Sequence, residues 1–125
     1  MAISILVIED NALARFTLRE ILEDADYEVI EAEDGDQGIE LQNQHGFDLV
    51  VTDIIMPKKD GLDTISELKS AYPDLPIIAV SGGGRTRDSD VLDAAREAGA
   101  DRVLHKPFTN EELVEIVASL LSGTP

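Results

Sequence analysis

The residues of this 125-residue chain with chemistry to offer are Glu9, Asp10, Asp53, Ser81 and Lys106. Each closes or closely follows a short aliphatic run: ISILVI before Glu9, LVVT before Asp53, IIAV before Ser81, and VL before His105 and Lys106. Three carboxylates, a hydroxyl and an amine brought to one place would suit a hard cation and a phosphoryl group. Mg²⁺ prefers oxygen ligands in an octahedron and keeps several waters while one or two carboxylates hold it. Glu9, Asp10 and Asp53 could supply those oxygens, together with a nearby backbone carbonyl. With a cation and Lys106 offsetting its charge, Asp53 could attack an incoming phosphoryl group. Ser81 could then hydrogen-bond one phosphoryl oxygen and Lys106 pair with another. Phosphoryl transfer rests mostly on positioning and charge neutralisation, and this set supplies both. Taken singly, each residue has a plainer use. Glu9 and Asp10 favour a helix N-terminus, Asp53 suits a turn, Ser81 a loop and Lys106 a solvated surface. Their joint occurrence at strand ends is what points to a site.

Those residues meet only if the apolar runs lie side by side. Near-continuous Ile, Leu and Val over Ile3 to Ile8, Leu49 to Val51 and Ile77 to Val80 predicts strands buried on both faces. Tyr27 to Ile30 and Val103 to Leu104 predict shorter strands nearer an edge. Between them, Ala14, Leu18, Ile21 and Leu22 form one apolar helical stripe, and Leu113, Ile116, Val117, Leu120 and Leu121 form another after Thr109, a good N-cap. Leu62, Ile65 and Leu68 predict a helix ending before Tyr72-Pro73, and Val91 to Ala98 one closed by Gly99. Gln37 to Gln44 reads as a weak helix, because Gly38 lowers its propensity. Strands alternating with helices make a parallel sheet covered on both faces. The expectation is one (βα)5 domain over residues 1–121 with a short tail at 122–125. In such sheets ligands bind beyond the carboxyl ends of the strands, where the five candidate residues fall.

Composition bounds the function. Net charge is −16, from 26 acidic against 10 basic residues. That opposes nucleic-acid binding, where Lys and Arg neutralise phosphates. It suits a cation or a partner with a basic face. The chain has no cysteine, so a disulfide framework and a thiolate metal site are excluded. No apolar run approaches the roughly 18 residues of a membrane span, and no basic leader precedes ISILVI, so a cytoplasmic protein is expected. Gly82-Gly83-Gly84 lacks the phosphate-loop pattern and reads as a flexible loop. His45 reads as a solvent-facing helix end, and His105 should point away from Lys106 on an extended strand. Neither has a partner at metal-ligand spacing.

With these residues assembled, the chain resembles the receiver domain of two-component response regulators over nearly its whole length, from Ile3 to about Leu121. The motifs are Glu9-Asp10 followed by Asn11, Asp53 followed by Met56-Pro57 and Asp60-Gly61, then Ser81, Ala98-Gly99-Ala100-Asp101, and Lys106-Pro107-Phe108. The resemblance, chemotaxis-regulator-like, implies a flavodoxin-like doubly wound α/β fold, a parallel five-stranded sheet in the order 2-1-3-4-5. It implies that Asp53 accepts a phosphoryl group from a phosphohistidine on a histidine kinase or phosphotransfer protein. Glu9, Asp10, Asp53 and the Ile55 carbonyl would hold Mg²⁺, and Ser81 and Lys106 would sense the phosphoryl group. Lys106-Pro107 is often a cis bond in this family. The face of helix four, strand five and helix five would rearrange to meet an output partner or a second copy. Such a domain catalyses only its own phosphorylation and dephosphorylation.

Two departures stand out. Val103 occupies a position usually held by Tyr or Phe, so the aromatic switch that often reports phosphorylation has no counterpart here. The loop GGGRTRDSD after Ser81 is longer than usual, and is expected to carry the output change instead. Ile55 and Gly83 hold the positions that flank the phosphoryl group in the family, and aliphatic Ile55 offers nothing to orient water, which predicts a long-lived phosphoaspartate. Kinase choice in this family rests largely on helix one, whose exposed face is expected to carry Arg15 and Arg19. The chain is read either as a stand-alone switch or as a receiver cut from a longer regulator. Rival readings fit less well. A flavodoxin-like electron carrier would want a Ser/Thr/Gly-rich phosphate loop where Glu9-Asp10-Asn11 stands. An aspartate-nucleophile phosphatase would want a second acid where Ile55 stands. A receiver-like interaction module without phosphorylation would usually have lost an acid or the lysine.

Overall fold

A computed structural model describes residues 3–54, 61–81, 89–106 and 108–122, and the side chains of all of these except 81 and 89–92. The elements run β1 (Ser4–Ile8), α1 (Ala12–Asp24), β2 (Glu28–Ala32), α2 (Gly35–His45), β3 (Leu49–Asp53), α3 (Gly61–Ala71), β4 (Ile77–Ser81), α4 (Ser89–Ala98), β5 (Arg102–His105) and α5 (Asn110–Leu121). The five strands form one parallel sheet in the order β2-β1-β3-β4-β5. Strand order reverses beside β1 and β3, which are paired through Ile8 and Thr52. The expected architecture and order are therefore observed.

Alternation along each strand divides the core into two layers. Leu6, Ile8, Val50, Ile77 and Ala79 pack with Ile65, Leu68 and Ala95 from α3 and α4. Ile5, Val7, Val51, Ile78 and Val80 pack with Leu18, Ile21 and Leu22 of α1 and Leu113 and Val117 of α5. A strand covered on both faces has no polar register, which is why β1, β3 and β4 read as unbroken apolar runs.

Element ends follow from caps. Asn11 caps α1 by accepting from the Ala14 amide at 2.9 Å. Thr109 caps α5 in a reciprocal box with Glu112, its hydroxyl accepting from the Glu112 amide at 3.0 Å and its own amide donating to the Glu112 carboxylate at 2.8 Å. α2 is a full helix, stronger than its sequence suggested. Asp34 caps it, and Gly46 closes it with φ of 71°. Buried Gln42 accepts from the Phe47 amide at 3.0 Å, latching the helix to the start of β3. Gly38 is explained by packing: a Cβ there would lie 2.4 Å from Ile8 Cδ1, so only glycine lets α2 approach β1 this closely. At the opposite end of the sheet from the carboxyl ends, Asp101 accepts from the Ile77 amide at 2.8 Å and pairs with Lys69 at 3.0 Å. This joins α3, β4 and β5 just after Gly99 ends α4.

Candidate functional site

The carboxyl ends of the strands bring the acids together. Glu9 follows β1 directly, and its amide continues the ladder by donating to the Ala32 carbonyl at 3.1 Å. Asp53 is the last residue of β3, the strand next to β1. The strand ends on Asp53, as its sequence predicts, with Asp53 paired to Val80 of β4. Glu9 is 2% exposed and Asp53 8%, whereas Asp10 is open to solvent. One carboxylate oxygen from each of Glu9, Asp10 and Asp53 lies within 4.8 Å of the others.

Lys106 reaches this cluster from the far edge of the sheet. It follows β5, and its Nζ lies 3.7 Å from Glu9 Oε1. Glu9 Oε2 accepts from the Asn11 amide at 3.1 Å. Glu9 Oε1 is buried and receives no hydrogen bond among the described residues. Burial pushes the Glu9 carboxyl above the ordinary glutamate range, and the Asn11 amide pulls it back. The Asp53 charge raises it again, against Lys106. Buried charges are stable only when paired or ligating a metal. The donor set here, all oxygen with one acid open to solvent, fits Mg²⁺ with some of its waters retained.

The main chain around Asp53 is tightly held. Thr52 is buried and its hydroxyl donates to the Asp53 carbonyl at 3.0 Å. The Gly61 amide donates to the Ile54 carbonyl at 2.9 Å, seating the first turn of α3 on the strand end. A Cβ at Gly61 would meet the Asp53 carbonyl oxygen at 2.2 Å. Gly61 is thus a close-approach position.

Of the residues expected at the site, Glu9, Asp10, Asp53 and Lys106 come together. The Ser81 backbone closes β4 and pairs with His105, but its side chain falls outside the described residues. So do Ile55, Met56-Pro57, Asp60, Gly83, the loop at 82–88, Pro107 with the Lys106-Pro107 bond, and the tail at 123–125. His105 is exposed, with its Nδ1 3.0 Å from the Lys106 carbonyl, and His45 is exposed at the end of α2. Val103 is half-buried against the α3–α4 layer of the core.

One expectation needs correction. Arg15 does not present its charge on the exposed face of α1. Its side chain is only 14% exposed and pairs with Glu31 of β2 at 3.0 Å, and Arg19 pairs with the same carboxylate at 2.7 Å. Leu13 and Phe16, 74% and 55% exposed, are what that face offers instead. The signal lay in β2. Val29 and Glu31 share one face by alternation, so a carboxylate turned toward α1 required cations from that helix.

Residues 5–118 match the response regulator receiver domain family. The chain is 37% identical over 119 residues to the transcriptional regulatory protein PdtaR of Mycobacterium tuberculosis, covering 94% of this chain and 56% of that one. It is 37% identical over 123 residues to the chemotaxis protein CheY of Bacillus subtilis, covering 98% of this chain and 100% of that one. The crystal structure of the receiver domain of NtrX from Brucella abortus aligns with a TM-score of 0.88 at 30% identity, covering 96% of this chain and 99% of that one. The chain spans little more than half the length of PdtaR but all of CheY.

Proposed function

Because the chain belongs to the receiver domain family of response regulators, we propose that Asp53 is its phosphoryl acceptor and that Glu9, Asp10 and Asp53 hold a Mg²⁺ ion beside it. The observation that carries this is the meeting of Lys106 with three carboxylates at the carboxyl ends of β1 and β3, which are adjacent. The donor is a phosphohistidine of a histidine kinase or phosphotransfer protein. An Asp53 oxygen forms a bond to phosphorus as the P–N bond breaks. The imidazole nitrogen keeps that electron pair and is protonated, while the phosphoryl group passes to the carboxylate. Mg²⁺ bound here would neutralise charge on the phosphoryl oxygens. Lys106 stands where its ammonium can leave Glu9 for a phosphoryl oxygen. The Ser81 hydroxyl would take another oxygen, and the Ile55 carbonyl would be the remaining protein ligand to the cation.

Signalling follows from the added charge. A phosphoryl group on Asp53 brings strong acceptors, which draw Ser81 and Lys106 inward. The output is a changed α4–β5–α5 face, met by a partner or by a second copy, with the loop after Ser81 carrying the change where Val103 replaces an aromatic. The domain spans 1–121, and its chemistry is confined to its own phosphorylation and dephosphorylation. The phosphodonor docks against α1, on the apolar surface of Leu13 and Phe16. No helix among the described residues is long and apolar enough to cross a membrane, in keeping with a cytoplasmic setting.

Intact mass after incubation with acetyl phosphate and Mg²⁺ tests this reading. It expects a gain of one phosphoryl group that requires Mg²⁺ and vanishes in Asp53→Asn. A folded wild type that gains nothing refutes it. The slow hydrolysis expected from Ile55 is checked by decay of the labelled species, and an unaltered rate in Ile55→Asn would count against it. The loop's role fails if amide exchange over residues 82–90 is unchanged by phosphorylation.

A further inference from the structure

Arg15 and Arg19 lie one helical turn apart on α1, and both reach back to β2. Arg15 Nε donates to Glu31 Oε1 at 3.0 Å, and Arg15 Nη1 donates to the Glu9 carbonyl at 2.8 Å. Arg19 Nη1 donates to Glu31 Oε2 at 2.7 Å, and its Nε to Glu23 at 2.9 Å. Hydrogen bonds from Arg19, then Arg15, hold the Glu31 carboxyl below its ordinary range despite partial burial, so it stays ionised at neutral pH. A planar guanidinium can bridge a carboxylate and a carbonyl in one rigid fork; an ammonium cannot.

The Glu9 carbonyl belongs to the peptide plane that joins Glu9 to Asp10, so its direction sets where both side chains leave the chain. We propose, resting on the reading of the acidic pocket given above, that Arg15 is a positioning residue for the cation site. Its bond to the Glu9 carbonyl fixes the Glu9–Asp10 peptide plane, and Glu31 holds the guanidinium in place to make that bond. The main chain of Glu9 is then fixed at both ends, by Ala32 through the amide and by Arg15 through the carbonyl. Arg15 touches neither cation nor phosphoryl group; it acts through Glu9.

The sign of the effect separates this role from simple electrostatics. Arg15 is a cation near a cation site, and by charge alone its removal would tighten Mg²⁺ binding. A positioning role requires the opposite, a weakening. Anchorage of α1 as such is shared with Arg19, which has no contact with Glu9 among those described.

The test is calorimetric titration of Mg²⁺ into the intact chain, beside acetyl phosphate labelling at varied Mg²⁺. Arg15→Gln and Arg15→Lys are each expected to weaken Mg²⁺ about tenfold, as removal of a residue that orients a metal ligand does, while Arg19→Gln stays within about twofold of wild type. The Mg²⁺ concentration for half-maximal labelling should rise in step, while the labelling rate at saturating Mg²⁺ is nearly unchanged. Glu31→Gln should fall between wild type and the Arg15 variants. A folded Arg15→Lys that binds Mg²⁺ as wild type does, or an Arg15→Gln that binds it more tightly, overturns the assignment while leaving the acidic pocket intact. A folded wild type that takes up no Mg²⁺ overturns both.

Discussion

Replacing Gly61 with alanine would place a methyl group 2.2 Å from the Asp53 carbonyl oxygen and 2.6 Å from both the Ile54 Cα and the Ile54 carbonyl oxygen. All three are main-chain atoms, so no side-chain rotation relieves the contact. Relief requires α3 to retreat by about 1 Å, close to the shortfall from an ordinary carbon–oxygen contact, or the end of β3 to give way by as much. Overpacking of this kind costs about 1–3 kcal/mol. The better helix propensity of alanine recovers less than about 1 kcal/mol, since Gly61 is at the first turn of α3. A net loss of about 1–2 kcal/mol corresponds to a fall in Tm of roughly 4–10 °C for a domain of this size. The displaced strand end carries Asp53, and a shift of about 1 Å in a reacting group can slow a reaction on the order of a hundredfold. Thermal melts and the initial rate of acetyl phosphate labelling at saturating Mg²⁺ measure the two effects. Gly46→Ala is the control, because its φ of 71° disfavours alanine while no atom lies within 4 Å. It should lose stability and label at the wild-type rate. A Gly61→Ala protein that melts with wild type and labels as fast would show that α3 slides freely on the strand end, against the packing described.

Gly38→Ala should destabilise by about 1–2 kcal/mol through contact with Ile8, and Ile8→Val, which removes the nearest methyl group, should recover part of it. Denaturant melts of both singles and the double variant check this, and additive losses would refute it. Glu31 has a lowered folded-state pKa, so its stabilisation is full above its unfolded value and is lost as pH falls through the folded one. Glu31→Gln should accordingly flatten the acid side of the stability profile, an effect kept small because the pair is partly solvated. Asp101→Ala leaves the Ile77 amide without its carboxylate and should cost about 1–3 kcal/mol. Lys69→Met removes the partly exposed ion pair and a 3.3 Å bond to the Pro73 carbonyl, and should cost under about 1 kcal/mol. Equal losses for these two in chemical denaturation would contradict that ranking.

The sequence was most legible where burial was complete. β1, β3 and β4 showed themselves as aliphatic runs because both their faces meet helices, and the acids at the ends of β1 and β3 broke those runs visibly. Edge strands were harder to bound: β2 continues through Glu31 to Ala32, beyond the run ending at Ile30, because its partnership with α1 is partly ionic, through Glu31, as well as apolar, through Val29. α2 looked weak because its supports are not propensities. They are the buried Gln42 latch and the close approach of Gly38 to Ile8, neither of which has a periodic signature. Arg15 was misplaced for a related reason. Helical spacing gives a face, but a long side chain can curl from that face to a partner on another element. Lys106 was identified by type and position, yet its reach to Glu9 required the sheet order to be known.

That reach has a mechanical consequence. β5 lies at the edge of the sheet and is held by one ladder, to β4, whereas β1 and β3 are each held by two. An electrostatic pull applied at the centre through Lys106 would therefore act on a strand that resists it less than β1 or β3 would. Charge arriving beside Asp53 need not bend the sheet to be felt outside. On the proposed function, it would reach the outer rim of the sheet through β5, the strand that Lys106 follows.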